Sequence, residues 1–391
     1  MKILIGTDSY APHVSGAGRF TQRLAEALAR HGHQVHLACP SADGAPRQEL
    51  RNGVIVHRFR SRPSVFHEDL RICLPWESAT DADDLVAGVH PDLVHVQSHF
   101  GVGRALANAA ARTGTPLVAT NHFMPENVVG YLPLPPSARR ALARWSWHDL
   151  ETVFSQADVV TAPTPRAVEL LEASTQLRRT LAISCGIDAE RYAQATATAH
   201  PGRLPSVLFV GRLDPEKRVD ELIRAVAALP PRIGARLDIV GQGRERDELT
   251  RLADDLGVAH RVTFHGLVSD DDLLRAYGSC DVFCMPGIAE LQSIVTLEAM
   301  SAGKPIVAAD AMALPHLVHP GRNGWLFRPG DVGQLSVQLA SLLTDPELRQ
   351  RMGAVSQQIV TGHGQEATTA QFLDVYRRAC DRVPATALQA A

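Results

Sequence analysis

Residues 207–218 read Val-Leu-Phe-Val-Gly-Arg-Leu-Asp-Pro-Glu-Lys-Arg, and an amphipathic segment follows from Val219. Four apolar residues in a row, β-branched and aromatic among them, predict a short strand buried on both faces, as in a parallel sheet covered by helices. Gly211 ends the run, and Pro215 and Glu216 suit a first helical turn. Two cations, Arg212 and Lys217, stand at the two ends of the loop. Ligands of open α/β sheets bind beyond the carboxyl ends of strands, so this loop is placed for binding. A guanidinium offers a planar fork and an ammonium a mobile point charge, which together suit a diphosphate. Read alone, the string also fits a solvated turn before a helix.

The same strand-then-helix unit recurs on both sides. Toward the N-terminus, short apolar runs at 3–6, 35–38, 93–96, 117–119 and 159–162 alternate with helical patterns such as 20–30. Toward the C-terminus, runs at 237–240, 262–265, 282–285 and 306–308 repeat the alternation. Between the two series, residues 189–205 are rich in Ala, Thr, Pro and Gly and lack apolar periodicity, which predicts a linker. The expectation is an α/β protein of two Rossmann-like doubly wound domains, 1–190 and 191–363. A C-terminal helix in 364–391 is expected to pack back on the first domain.

Composition excludes several classes. The chain has 391 residues, 45% hydrophobic and 21% charged, so it is neither disordered, collagen-like nor a disulfide scaffold. A formal charge of −3 gives no global basic field, and no nucleic-acid partner is expected. Six cysteines, without a CxxC pair, suit a reducing compartment, and Cys280 and Cys284 read as buried core thiols. No run approaches the roughly 18 to 20 apolar residues of a membrane span. The opening strand turns polar at Thr7 and Asp8, too early for a secretory signal, so a cytoplasmic address is expected.

Further motifs fall at strand ends. After the run 282–285, Glu290-Leu291-Gln292-Ser293-Ile294-Val295-Thr296-Leu297-Glu298 carries two carboxylates eight residues apart. Eight steps of one helix leave side chains about 80° apart, so Glu290 is expected in the loop and Glu298 on the helix. Amides at the start of that helix, at Gln292, Ser293 and Ile294, attract a phosphate. Glu298 is suited to the two hydroxyls of a ribose and Glu290 to a sugar hydroxyl. Val268, after the run 262–265, is placed to touch a base through its backbone. Gly16 and Gly18 lack a Cβ and can bring amides close to a phosphate. His122 follows the run 117–119 and can hydrogen-bond a sugar hydroxyl. Glu126, four residues on, is a candidate acceptor contact. The strings Asp81–Ala82–Asp83 and Asp270–Asp271–Asp272 read as acidic helix starts capped by Thr80 and Ser269 rather than as metal chelators. Within 133–148, a Pro-rich loop leads into a helix bearing Arg139, Arg140, Arg144 and Trp145, an arrangement suited to an anionic membrane surface and also to a crossover helix.

Taken together, Gly211-Arg212-Leu213…Lys217, Gly241-Gln242-Gly243, Phe264-His265-Gly266, the Glu290-x7-Glu298-Ala299-Met300 string, Gly303-Lys304-Pro305 and Asn323-Gly324 resemble the retaining family 4 glycosyltransferases of the GT-B fold. The match runs in order along nearly the whole chain. It implies that the second domain holds a nucleotide sugar and the first mainly an acceptor, with reaction in the interdomain cleft. It further implies that Arg212 and Lys217 neutralise the donor diphosphate, that Glu298 holds the ribose, and that Glu290 and His122 contact the transferred sugar. The motifs are most similar to members that glycosylate lipid acceptors. Two departures stand out: Ala17 interrupts the first glycine pair, and Leu291-Gln292-Ser293 replace the usual small or aromatic residues, so Gln292 is a candidate for donor selection. The expected activity is metal-independent, cofactor-free hexosyl transfer from UDP-glucose or GDP-mannose to a lipid or a small soluble acceptor. A GT-B-fold nucleotide-sugar epimerase is the alternative chemistry at the same donor site.

Overall fold

The computed structural model describes residues 1–12, 15–64, 71–125, 134–195 and 204–381. The chain divides into two compact units, Met1–Gly186 with Gln365–Ala391, and Ile187–Gly364.

The first unit is built on strands β1 (Lys2–Gly6), β2 (Gln34–Pro40), β3 (Arg47–Arg51), β4 (Val54–Phe59), β5 (Arg62–Pro63), β6 (Arg71–Ile72), β7 (Leu93–Val96), β8 (Leu117–Thr120), β9 (Val159–Ala162) and β10 (Leu181–Ala182). Eight of them form one sheet in the order β10-β9-β8-β7-β1-β2-β4-β3, parallel except for the β3–β4 hairpin, while β5 and β6 pair separately. Ile3, Leu4 and Ile5 are fully buried because helices cover both sheet faces, as the unbroken apolar run requires. The helix Gly16–Arg30 starts at Ser15, whose side chain accepts from the Gly18 amide, and buries Phe20, Leu24 and Leu28. The last helix, Gln365–Cys380, packs on this same sheet. Its Phe372 ring lies 5.7 Å from Phe20, and its Tyr376 hydroxyl is 2.7 Å from His95 on β7.

The second unit holds β11 (Ser206–Val210), β12 (Arg236–Val240), β13 (Val262–Gly266), β14 (Val282–Met285), β15 (Ile306–Ala309) and β16 (Gly324–Phe327). Their order, β13-β12-β11-β14-β15-β16, is all parallel and is the doubly wound Rossmann order, with its switch point between β11 and β14. The expected α/β class with two Rossmann-like sheets is therefore observed.

Local differences have physical causes. The antiparallel β3 is exposed and charged, so it gave no apolar run. A helix, Ala189–Ala193, lies inside the stretch read as linker, capped by Asp188 and anchored by buried Tyr192. Asp81–Asp83 do not start a helix. They lie mid-helix in Pro75–Val89, which begins at a proline, and Thr80 bonds back to the Trp76 carbonyl instead of capping. Ser269 does cap Asp270–Ser279 through the Asp272 amide. Cys280 and Cys284 are buried thiols, and burial pushes the Cys284 thiol up. Among the described residues, no helix is long and apolar enough to cross a membrane.

Several imidazoles are held neutral by burial: His57, His122 and His363 are lowered to about 4, and His95 to about 3. Their folded values lie below the unfolded value of about 6.5, so the stability they contribute is complete above that pH and lost as pH falls. Most carboxylates titrate lower, and in the window from about pH 6.5 to about pH 5 the several imidazoles outnumber Glu245, which burial raises to about 6 and which acts in the opposite sense. Urea titrations should show the unfolding midpoint falling across that window; a midpoint that is flat or rises would contradict the burial of neutral histidine.

Candidate active site

The loop after β11 is pinned by backbone. The Gly211 amide donates to the Val240 carbonyl at 3.0 Å, Leu213 to the Gln242 carbonyl at 2.9 Å, and Glu245 to the Leu213 carbonyl at 3.0 Å. The approach is so close that a Cβ at Gly241 (φ +135°) would stand 1.9 Å from the Gly211 oxygen, and one at Gly243 2.4 Å from the Leu213 oxygen. The Gly241-Gln242-Gly243 glycines thus shape the cation loop by letting a second backbone lie against it. A single 3-10 turn, Pro215–Lys217, follows, and its Glu216 carbonyl accepts from the Ile288 amide at 2.9 Å. That bond ties the cation loop to the loop carrying Glu290.

The two cations meet carboxylates. Arg212 is 43% exposed and spans Asp214 at 2.7 Å and Glu216 at 2.8 Å. Burial raises the Glu216 carboxyl, and Arg212 and Lys217 oppose that rise. Lys217 is largely buried and pairs with Glu290. Gly287 leaves room for this pair: a Cβ there would come within 3.2 Å of Glu290 Oε1 and 3.5 Å of Lys217 Cδ. Breaking so buried a pair from one side leaves an uncompensated charge, a cost of about 3–5 kcal/mol. An incoming anion compensates the cation instead.

Glu290 lies in the loop and Glu298 on the helix Ile294–Ser301. No side chain caps that helix. Ser293 Oγ accepts from Thr296 Oγ1 at 2.8 Å, and the first intrahelical bond runs from the Leu297 amide to the Ser293 carbonyl. Its first-turn amides, Ile294 among them, face an end where an anion is favoured. Gln292 is half-buried beside them, and Val268, also half-buried, precedes the Ser269 cap.

Glu298, expected to hold a ribose, already has hydrogen-bond partners. It is 1% exposed, and its two oxygens accept the Tyr192 hydroxyl at 2.9 Å and the Tyr277 hydroxyl at 2.8 Å. A ribose there must share those oxygens or displace a phenol. Burial, and then the neighbouring carboxylate, push the Tyr277 phenol well up, so it stays a donor. Neither tyrosine was legible as a partner: Tyr192 sits in the stretch read as linker, and Tyr277 is 21 residues upstream on another helix.

In the first unit, two candidate anion sites are already filled. The Gly18 amide donates to Ser15 Oγ at 2.9 Å, and a Cβ on Gly18 would press within 3.0 Å of Ser9 and Ser15. Gly18 therefore serves close packing, while Gly16 stays exposed at the first helical position. The helix Gly101–Thr113 receives Asp8, whose Oδ1 accepts the Val102 amide at 2.9 Å. His122 follows β8, its ring 5.0 Å from Phe20 and its Nε2 2.9 Å from Gln97 Oε1. Glu126 lies outside the described residues. On the helix Pro136–Phe154 the C-terminal half buries Trp147, Leu150, Val153 and Phe154, whereas Arg139, Arg140, Arg144 and Trp145 are exposed.

Two Rossmann-like sheets in one chain are the architecture of the GT-B class. A model described as Glycosyltransferase Family 4 matches residues 14–191, and one described as Glycosyl transferases group 1 matches residues 191–358. The chain is 31% identical over 386 residues to a GDP-mannose-dependent alpha-mannosyltransferase of Mycobacterium tuberculosis, covering 96% of each. It is 29% identical over 395 residues to a D-inositol 3-phosphate glycosyltransferase of Streptomyces scabiei, covering 93% of this chain and 86% of that one. Among solved structures, sucrose-phosphate synthase from Thermosynechococcus elongatus superposes with a TM-score of 0.82 at 21% identity, covering 98% of this chain and all (100%) of that one. The protein belongs to the family 4 glycosyltransferases.

Tyr277→Phe should remove one of the two donors to the buried Glu298 carboxylate and cost about 1–3 kcal/mol. Chemical unfolding of the variant measures it, and an unchanged midpoint would show that the phenol does not support the carboxylate.

Proposed function

We propose that the protein moves a hexose, with retention and without a metal, from a nucleotide-diphosphate sugar to a hydroxyl of a lipid or lipid-linked acceptor. The observation that carries the reading is the Lys217–Glu290 pair, held beside the uncapped helix start at Ser293 and on the same loop as Arg212. A donor diphosphate takes over Lys217 and frees Glu290 for a sugar hydroxyl. GDP-mannose is favoured over UDP-glucose by the named dependence of the mannosyltransferase relatives.

In the reaction the bond from the anomeric carbon to the diphosphate oxygen breaks, and the acceptor hydroxyl attacks from the same face. Its proton passes to the departing diphosphate, so no side chain serves as nucleophile. Arg212, Lys217 and the amides at Ser293 and Ile294 stabilise the developing phosphate charge. His122 receives a sugar hydroxyl. With cations of its own, the site needs no divalent ion at the leaving group.

The exposed Arg139, Arg140, Arg144 and Trp145 support contact with an anionic membrane surface, on which a lipid acceptor is presented. A small soluble acceptor is the second reading, favoured by the D-inositol 3-phosphate glycosyltransferase relatives.

Arg212→Ala or Lys217→Ala should lower turnover at least about a hundredfold, while EDTA leaves the wild-type rate unchanged. Near-normal turnover in both variants, or an EDTA loss restored by magnesium or manganese, would contradict the assignment. Replacing Arg139, Arg140 and Arg144 with Glu should abolish sedimentation with liposomes of anionic lipid; undiminished sedimentation would remove these arginines from membrane contact, and a wild-type protein that does not sediment argues for the soluble acceptor.

A further inference from the structure

A buried polar chain runs through the first unit from His122 to the last helix. Gln97, 2% exposed, follows β7 and places its Oε1 2.9 Å from His122 Nε2. Its Nε2 lies 3.2 Å from Nδ1 and 3.0 Å from Nε2 of His95. Near-equal distances to two nitrogens on opposite sides of one ring carbon put the amide over the ring face, not in its plane. His95 is fully buried, and its nitrogens have partners of their own: the Tyr376 hydroxyl at 2.7 Å from Nδ1 and Thr120 Oγ1 at 2.7 Å from Nε2. Thr120 in turn meets Thr161 Oγ1 at 2.7 Å.

The chain determines which way the Gln97 amide points. An N–H laid over an imidazole face whose nitrogens are already engaged is favourable, whereas a carbonyl oxygen there is not. The oxygen therefore turns to His122. A carbonyl oxygen only accepts, and a neutral imidazole has one N–H, so that hydrogen sits on His122 Nε2. Nδ1 keeps its lone pair and has no hydrogen-bond partner among the described residues.

We propose that Gln97 is a positioning residue, holding His122 in the Nε2–H tautomer so that Nδ1 accepts a hydrogen bond from a hydroxyl of the bound sugar. The inference rests on the reading of His122 as a sugar contact. Its specific content is the tautomer and the residue that sets it. Burial, which lowers His122 to about 4, keeps the ring neutral and so makes the tautomer matter. His95 and Tyr376 act one step further back by holding the Gln97 amide.

Nitrogen-15 long-range correlation spectra of the full-length protein report which His122 nitrogen carries hydrogen. The wild type should show Nε2–H. Gln97→Met, which cannot accept, should give a mixture of tautomers and lower kcat roughly tenfold or more, with KM for GDP-mannose little changed. Gln97→Glu retains an accepting oxygen and should keep the hydrogen on Nε2, which tests the proposal even if Gln97→Met folds poorly. A wild-type tautomer in Gln97→Met, or loss of the Nε2 hydrogen in Gln97→Glu, overturns it. His122→Ala separates the two claims. Full turnover in that variant removes His122 from the reaction, whereas an inactive His122→Ala beside a fully active Gln97→Met leaves the site reading intact and removes Gln97.

Discussion

A Cβ at residue 241 would lie 1.9 Å from the Gly211 carbonyl oxygen, so the loop that carries Arg212 and Lys217 keeps this path only because residue 241 is glycine. Three backbone bonds from the Gly241-Gln242-Gly243 segment and its flanks then hold the loop without using any charged side chain. Rigid backbone beneath mobile charge is what an anion site needs. The cost of ordering the loop is met in folding, and the cations are left to answer the ligand.

The charges are arranged to be released. Arg212 rests between Asp214 and Glu216, and Lys217 against Glu290, so each cation of the loop has a carboxylate partner in the fold. In the proposed function a diphosphate replaces carboxylates as the partner of the same cations. On that proposal Glu290, once freed, turns from counter-ion into hydroxyl acceptor, and recognition of the sugar is coupled to recognition of the phosphates. The first unit does the opposite with its helix starts: Ser15 occupies the Gly18 amide and Asp8 the helix Gly101–Thr113. Both of these helix starts thus spend those amides on the chain's own side chains.

Much of this was legible in the chain. Parallel strands buried on both faces write themselves as unbroken apolar runs, and the runs at 3–6, 207–210 and 282–285 all became strands. For the same reason Arg212, Lys217 and Glu290 lie on the loops after those strands, as read. What was not legible depends on partners distant in sequence. The exposed edge strand β3 has no apolar signature, and mid-helix Asp81–Asp83 imitate a helix start. Ser15 takes the Gly18 amide that a glycine motif suggests is free. The sequence reading of Glu298 did not include the hydroxyls of Tyr192 and Tyr277, 106 and 21 residues away, which its oxygens accept. Gln97 offered a signal of its kind, a polar residue closing an apolar strand, but its meaning lies in His95 and His122 on either side of it.

The central claim is that this site transfers a sugar from one nucleotide donor to an acceptor hydroxyl. Mass spectrometry of the purified protein incubated with a panel of GDP-, UDP- and ADP-sugars, with and without a total lipid extract, tests it most directly. The account predicts that GDP-mannose alone yields nucleoside diphosphate together with a hexose-bearing lipid, and that the lipid product depends on the extract. An epimerised nucleotide sugar formed without any acceptor, or no turnover with any donor, would contradict it.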